Sequence, residues 1–74
     1  MTLRDIAPGK KCRIEALLGR GATYQRLLEM GMIAGTELEV LRYAPLGDPL
    51  EIRIHGYHLS LRKAEAQLVE VAYV

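Results

Sequence analysis

Polar and apolar residues alternate along most of this chain, and each alternating stretch predicts a strand buried on one face. From Lys11 to Leu17, Cys12, Ile14 and Ala16 fall on one side while Arg13 and Glu15 fall on the other. From Thr36 to Tyr43, Leu38 and Val40 turn inward and Glu37 and Glu39 face water. Leu50, Ile52 and Ile54 repeat the rhythm against Glu51, Arg53 and His55, and Leu59 and Leu61 alternate with His58 and Ser60 in Tyr57 to Leu61. Leu68 to Val74 supplies a last strand.

Turn residues punctuate these runs. Ala44-Pro45-Leu46-Gly47-Asp48-Pro49 reads as a hairpin tip, because proline cannot donate to a central ladder and Gly and Asp suit a reversal. Gly56 permits a second, tight reversal, and Ala7-Pro8-Gly9 marks a turn between the lead-in Leu3 to Ile6 and the first strand. Between the first two strands the period changes. Tyr24, Leu27 and Leu28 share a stripe that predicts a helix over Ala22 to Met30, with Thr23 near its start, Gln25, Arg26 and Glu29 outward, and Gly31 as its C-terminal cap. Lys63 to Gln67 suits one further helical turn.

About five short strands with one small helix after the first predict a mainly β fold, a small SH3-like barrel with Leu27, Val40 and Ile52 in its core. An oligonucleotide-binding barrel is the second choice, but it carries its helix between the third and fourth strands. The 74 residues suffice for a single domain spanning 1–74. With no Phe or Trp, that core is aliphatic.

A net charge of +1 offers no basic face for phosphates, which argues against nucleic acid as a partner. Cys12 is the sole cysteine, so no internal disulfide forms and a reducing cytoplasm is the expected home. No apolar run approaches the roughly 20 residues of a membrane span, and the N-terminus lacks the layout of a signal peptide. Direct membrane insertion is therefore not expected.

Candidate chemistry is sparse. Gly19-Arg20-Gly21-Ala22-Thr23 has the glycines of a phosphate loop but lacks its lysine and its length. No residue set nominates a nucleophile with its base, so neither catalysis nor a resident cofactor is expected. His55 and His58, with Cys12 or Glu51, are weak candidates for a divalent transition metal, although exposed hairpin histidines need no metal. A protein-binding surface is the stronger reading: Leu46 cannot reach a core from a proline-bounded tip, and Tyr24, Met30 and Met32 are expected to be partly exposed around the helix end. The alternative for Met30 and Met32 is that they plug the end of the barrel. Arg26 and Arg20 are candidates to pair with acidic groups of a partner.

Four stretches carry a family resemblance: Ala7-Pro8-Gly9; Arg26-Leu27-Leu28-Glu29-Met30-Gly31 with Gly35-Thr36; Ala44 to Pro49; and Leu59-Ser60-Leu61-Arg62-Lys63-Ala64-Glu65-Ala66. In this order and spacing the chain resembles the FeoA family, the small SH3-like cytoplasmic component of bacterial ferrous-iron transport. Ala34 departs from the pattern, which often has proline there. The resemblance raises Arg26, which lies inside a matching stretch, above Arg20 as a partner contact. The resemblance implies a non-enzymatic accessory or regulatory protein of iron homeostasis that docks onto the cytosolic GTPase region of a FeoB-like membrane transporter, and so reaches the inner face of the membrane through its partner. An alternative role is a metal-responsive regulatory domain similar to the C-terminal domain of iron-dependent repressors. Charge reversal at Arg26, or Leu46→Asp, is expected to weaken docking with the fold intact. An unpaired strand edge can also recruit a second copy of the chain.

Overall fold

The computed structural model describes all residues from Met1 to Val74. After a 3-10 turn at Leu3–Asp5, the elements run β1 (Lys11–Leu17), α1 (Ala22–Glu29), β2 (Glu37–Tyr43), β3 (Leu50–Ile54), β4 (Tyr57–Leu61), α2 (Lys63–Ala66) and β5 (Val69–Tyr73). The fold is mainly β. All five strands join one antiparallel sheet in the order β4-β3-β2-β1-β5, curled about a single core.

That core holds Cys12, Ile14, Leu38, Val40, Leu50, Ile52, Ile54, Leu61, Val69 and Val71 from the strands and Leu27 from α1. Leu3 and Ile6 join them, so the lead-in is part of the core. Its signal was their spacing of three, one turn of 3-10 helix. Tyr43 fixes this segment from outside, its hydroxyl lying 2.7 Å from the Arg4 carbonyl and 2.8 Å from that of Ile6.

Two bulges set the curvature. In β2 the register with β3 shifts between Val40 and Arg42, which turns Arg42 outward opposite Glu51 and Tyr43 toward Leu50. In β1 the register with β5 shifts between Ile14 and Ala16, setting Leu17 against Val69 and Ala16 against Glu70. Ala16 therefore leaves the face that strict alternation assigns it, and Leu17 packs against the core instead.

The helix α1 starts at Ala22 and is capped by Gly31, as the pattern predicts. Gly21 precedes the first helical turn, Thr23 lies within that turn, and no side chain caps it. At the other end Gly31 (φ +91°) is the left-handed cap: its N–H donates to the Leu28 carbonyl and that of Met32 to the Leu27 carbonyl, each at 3.0 Å. This reversal throws Met32 back beside Leu27, and both side chains are fully buried.

Candidate functional site

The hairpin tip between β2 and β3 is ordered by its own hydrogen bonds. Gly47 N–H donates to the Ala44 carbonyl at 2.7 Å, Ala44 N–H to the Pro49 carbonyl at 3.0 Å, and Lys63 N–H at the start of α2 to the Asp48 carboxylate at 3.0 Å. Leu46 stands on this braced turn with 96% of its surface exposed. An apolar side chain so fully hydrated, on a backbone that cannot fold it inward, gains from burial only against another molecule.

The other expected docking residues divide. Tyr24 and Met30 are half-buried, and Met30 packs against the core. Met32 is corrected: it is fully buried, because the left-handed turn at Gly31 directs it inward, and it plugs the core rather than meeting a partner. Arg26 remains 59% exposed, yet its guanidinium already pairs with Glu65 of α2. Reversing its charge would set two carboxylates together, so that substitution disturbs the α1–α2 contact and does not leave the fold untouched.

Glu65 is a structural anchor of this region that sequence reasoning missed. It is 7% exposed, and its other oxygen accepts the Arg62 N–H at 2.8 Å. A Glu three residues after the start of a helical turn was the available signal.

The outer face of the sheet is charged and self-compensating. Arg13 meets Glu37 at 3.2 Å, Arg53 meets Glu39 at 3.3 Å, and Arg42 meets Glu51 at 3.1 Å. Lys11, Glu39, Arg53 and His55 line part of a shallow depression of about 280 Å³ on this face. With their charges so paired these strands present no continuous cationic surface.

His55 and His58 are both exposed on the β3–β4 hairpin. His55 adopts φ +53° in the two-residue turn with Gly56, and its Nε2 lies 3.3 Å from the Gly31 carbonyl, tying that turn to the end of α1. The structure does not bring a metal set together. Cys12 is buried on the inner face, where burial pushes its thiol up to about 11, Glu51 is paired with Arg42, and no three His, Cys, Asp or Glu side chains stand close enough to hold an ion. No helix is long and apolar enough to cross a membrane.

Comparison with known proteins agrees with this architecture. The FeoA domain family matches residues 1–73. A Fe(2+) transport protein A/Fe(2+) transporter FeoB fusion protein of Porphyromonas gingivalis is 38% identical over the whole chain, which spans 9% of that protein. The solution structure of iron(II) transport protein A from Clostridium thermocellum is 40% identical with a TM-score of 0.95, covering 100% of this chain and 46% of that one. Stenotrophomonas maltophilia FeoA complexed with zinc, described as a prokaryotic SH3 domain protein, is 28% identical with a TM-score of 0.86 over 97% of this chain and 89% of that one. The curled five-stranded sheet is thus an SH3-like fold, and by a match over nearly all its length this chain belongs to the FeoA domain family.

Proposed function

We propose that this chain is a non-enzymatic accessory domain of ferrous-iron transport that works in the cytoplasm, docking onto the cytosolic GTPase region of a FeoB-type transporter. The observation that carries the reading is the fused relative, in which a segment similar to this whole chain belongs to one polypeptide with a FeoB-type transporter. Joined in one chain, two such modules meet at high effective concentration, so a small docking surface suffices. The braced tip carrying Leu46 is that surface, with Tyr24 and Met30 as half-buried contributors and the exposed part of Arg26 as a polar one. The domain acts by binding one nucleotide state of the transporter more tightly than the other, since only unequal affinity shifts an equilibrium. The family match and the fused relative favour this transport role over that of a repressor-type regulatory domain.

Calorimetric titration of the full chain into the cytosolic domain of a FeoB-type transporter, with GTP analogue or GDP bound, tests the proposal. Binding that differs between the two states and weakens about tenfold in Leu46→Asp, a loss of about 1.4 kcal/mol, is the expected result. Leu46 is almost wholly exposed, so this variant keeps the wild-type melting temperature. Undiminished binding by Leu46→Asp would refute the surface, and no binding by the wild type would refute the role.

A further inference from the structure

We propose that the outer edge of β4 pairs with the same edge of a second copy of this chain. β4 is terminal in the sheet, and the two-residue turn His55-Gly56 closes on the pair Ile54 and Tyr57. In such a hairpin the main-chain groups of Tyr57, Leu59 and Leu61 face β3, whereas those of His58 and Ser60 face away. No main-chain hydrogen bond outside the sheet and helices, and no side chain, takes up the groups of His58 and Ser60, and both residues are exposed. The opposite edge differs. There Thr2 bridges to Glu70, and Val71 N–H donates to the Met1 carbonyl at 3.0 Å. The lead-in thus covers the β5 edge around Glu70 and Val71, whereas nothing covers that of β4.

Open edges are usually guarded by charge or proline, yet Tyr57-His58-Leu59-Ser60-Leu61 contains no Lys, Arg, Asp, Glu or Pro. Its pattern is also symmetric about Leu59. An antiparallel pair with its two-fold axis at Leu59 sets Leu59 against Leu59, His58 against Ser60 and Tyr57 against Leu61, matching apolar to apolar and polar to polar. The outward groups of His58 and Ser60 then exchange both hydrogen bonds on each side of the axis. Half-buried Leu59 and Tyr57, 53% exposed, gain apolar cover. Because the pairing is two-fold and uses the same edge of each copy, it closes as a dimer instead of growing into a fibre. The small net charge opposes it little. The strand is only five residues long, so the contact falls short of the roughly 1,200 Å² of a permanent interface and the dimer forms in a concentration-dependent way.

Sedimentation of the full chain from micromolar to millimolar concentration, together with amide exchange at both ends of that range, tests the pairing. The expected result is a weight-average mass rising toward that of a dimer while exchange at His58 and Ser60 slows by about tenfold. Ser60→Pro removes only an outward N–H and should remain monomeric at the same concentrations with its melting temperature nearly unchanged. Should that variant fold poorly, the wild-type exchange data decide the matter. A chain that stays monomeric at millimolar concentration, or that dimerises while His58 and Ser60 exchange as fast as in dilute solution, overturns the proposal.

Discussion

The Glu65 carboxylate is shared between Arg26 on α1 and the Arg62 main-chain N–H at the start of α2, which ties the helix lying between β1 and β2 to the turn that follows β4. Only Leu27 of α1 is fully buried, and this ion pair and the His55 contact at Gly31 add to what holds the helix in place. Glu65→Ala removes both bonds and should lower stability by about 1–3 kcal/mol, read from urea unfolding. Arg26→Ala should cost less, about 1 kcal/mol, because its head is half in water. A double-mutant cycle between the two should show coupling, and strict additivity would mean that the pair contributes nothing.

Leu27, Val40 and Ile52 have no exposed surface. Truncation of any of them to Ala leaves a cavity in a small core and should cost about 2–5 kcal/mol. Chemical denaturation checks this. Loss of the proposed docking in these variants would report unfolding, in contrast with Leu46→Asp.

Gly31→Ala tests the reversal after α1. A Cβ there would lie 2.9 Å from Cδ2 and 3.0 Å from Nε2 of His55, on a backbone with φ +91°. The imidazole is exposed and can move aside, so the backbone conformation supplies most of the penalty, about 1 kcal/mol. Adding His55→Ala should therefore restore little of the lost melting temperature. Full recovery would show that the steric contact dominates.

Cys12 links stability to alkaline pH. Its folded thiol is raised from 9.0 to about 11 by burial, so the native state holds a proton that the unfolded chain releases above its own, lower value. The contribution is fully present below pH 9 and is lost as pH rises toward 11, by about 2–3 kcal/mol in all. Unfolding free energies across this window should fall more steeply for the wild type than for Cys12→Ala. Neutral-pH labelling of Cys12 by a thiol reagent should proceed only as fast as the protein opens.

Tyr43→Phe should release the lead-in. The hydroxyl donates to carbonyls of the segment that carries Leu3 and Ile6, so its removal should cost about 1 kcal/mol and speed amide exchange at Ile6, whose N–H is held by the Leu3 carbonyl at 3.2 Å. Unchanged exchange there would show that burial of Leu3 and Ile6 holds the segment unaided.

The strand and hairpin plan was legible because each strand buries one face and period two is visible residue by residue. β1, β3 and β4 occupy the positions their alternation predicts, and the proline-bounded tip lies where Pro45 and Pro49 require a break. The exposure of Leu46 was equally readable, since a tip of six residues leaves its side chain nowhere to fold. Arg26 and Met32 were not. Arg26 reads as a surface residue and Met32 as either a rim residue or a plug, and only the approach of Glu65 to one, and the Gly31 reversal behind the other, shows that both serve the fold.

Local pattern alone thus determined which segments are strands, where they turn, and that their core is aliphatic, because alternation, turn chemistry and composition act over a few neighbouring residues. Tertiary structure decided the rest. Whether Ala16 or Leu17 faces inward depends on a bulge that exists only once β1 is paired with β5, and the same holds for Arg42 and Tyr43 between β2 and β3. The buried carboxylate of Glu65, the cover over the β5 edge and the open edge of β4 arise from segments far apart in the chain. Their pairing is set by the closure of the whole core, and no window of sequence contains it.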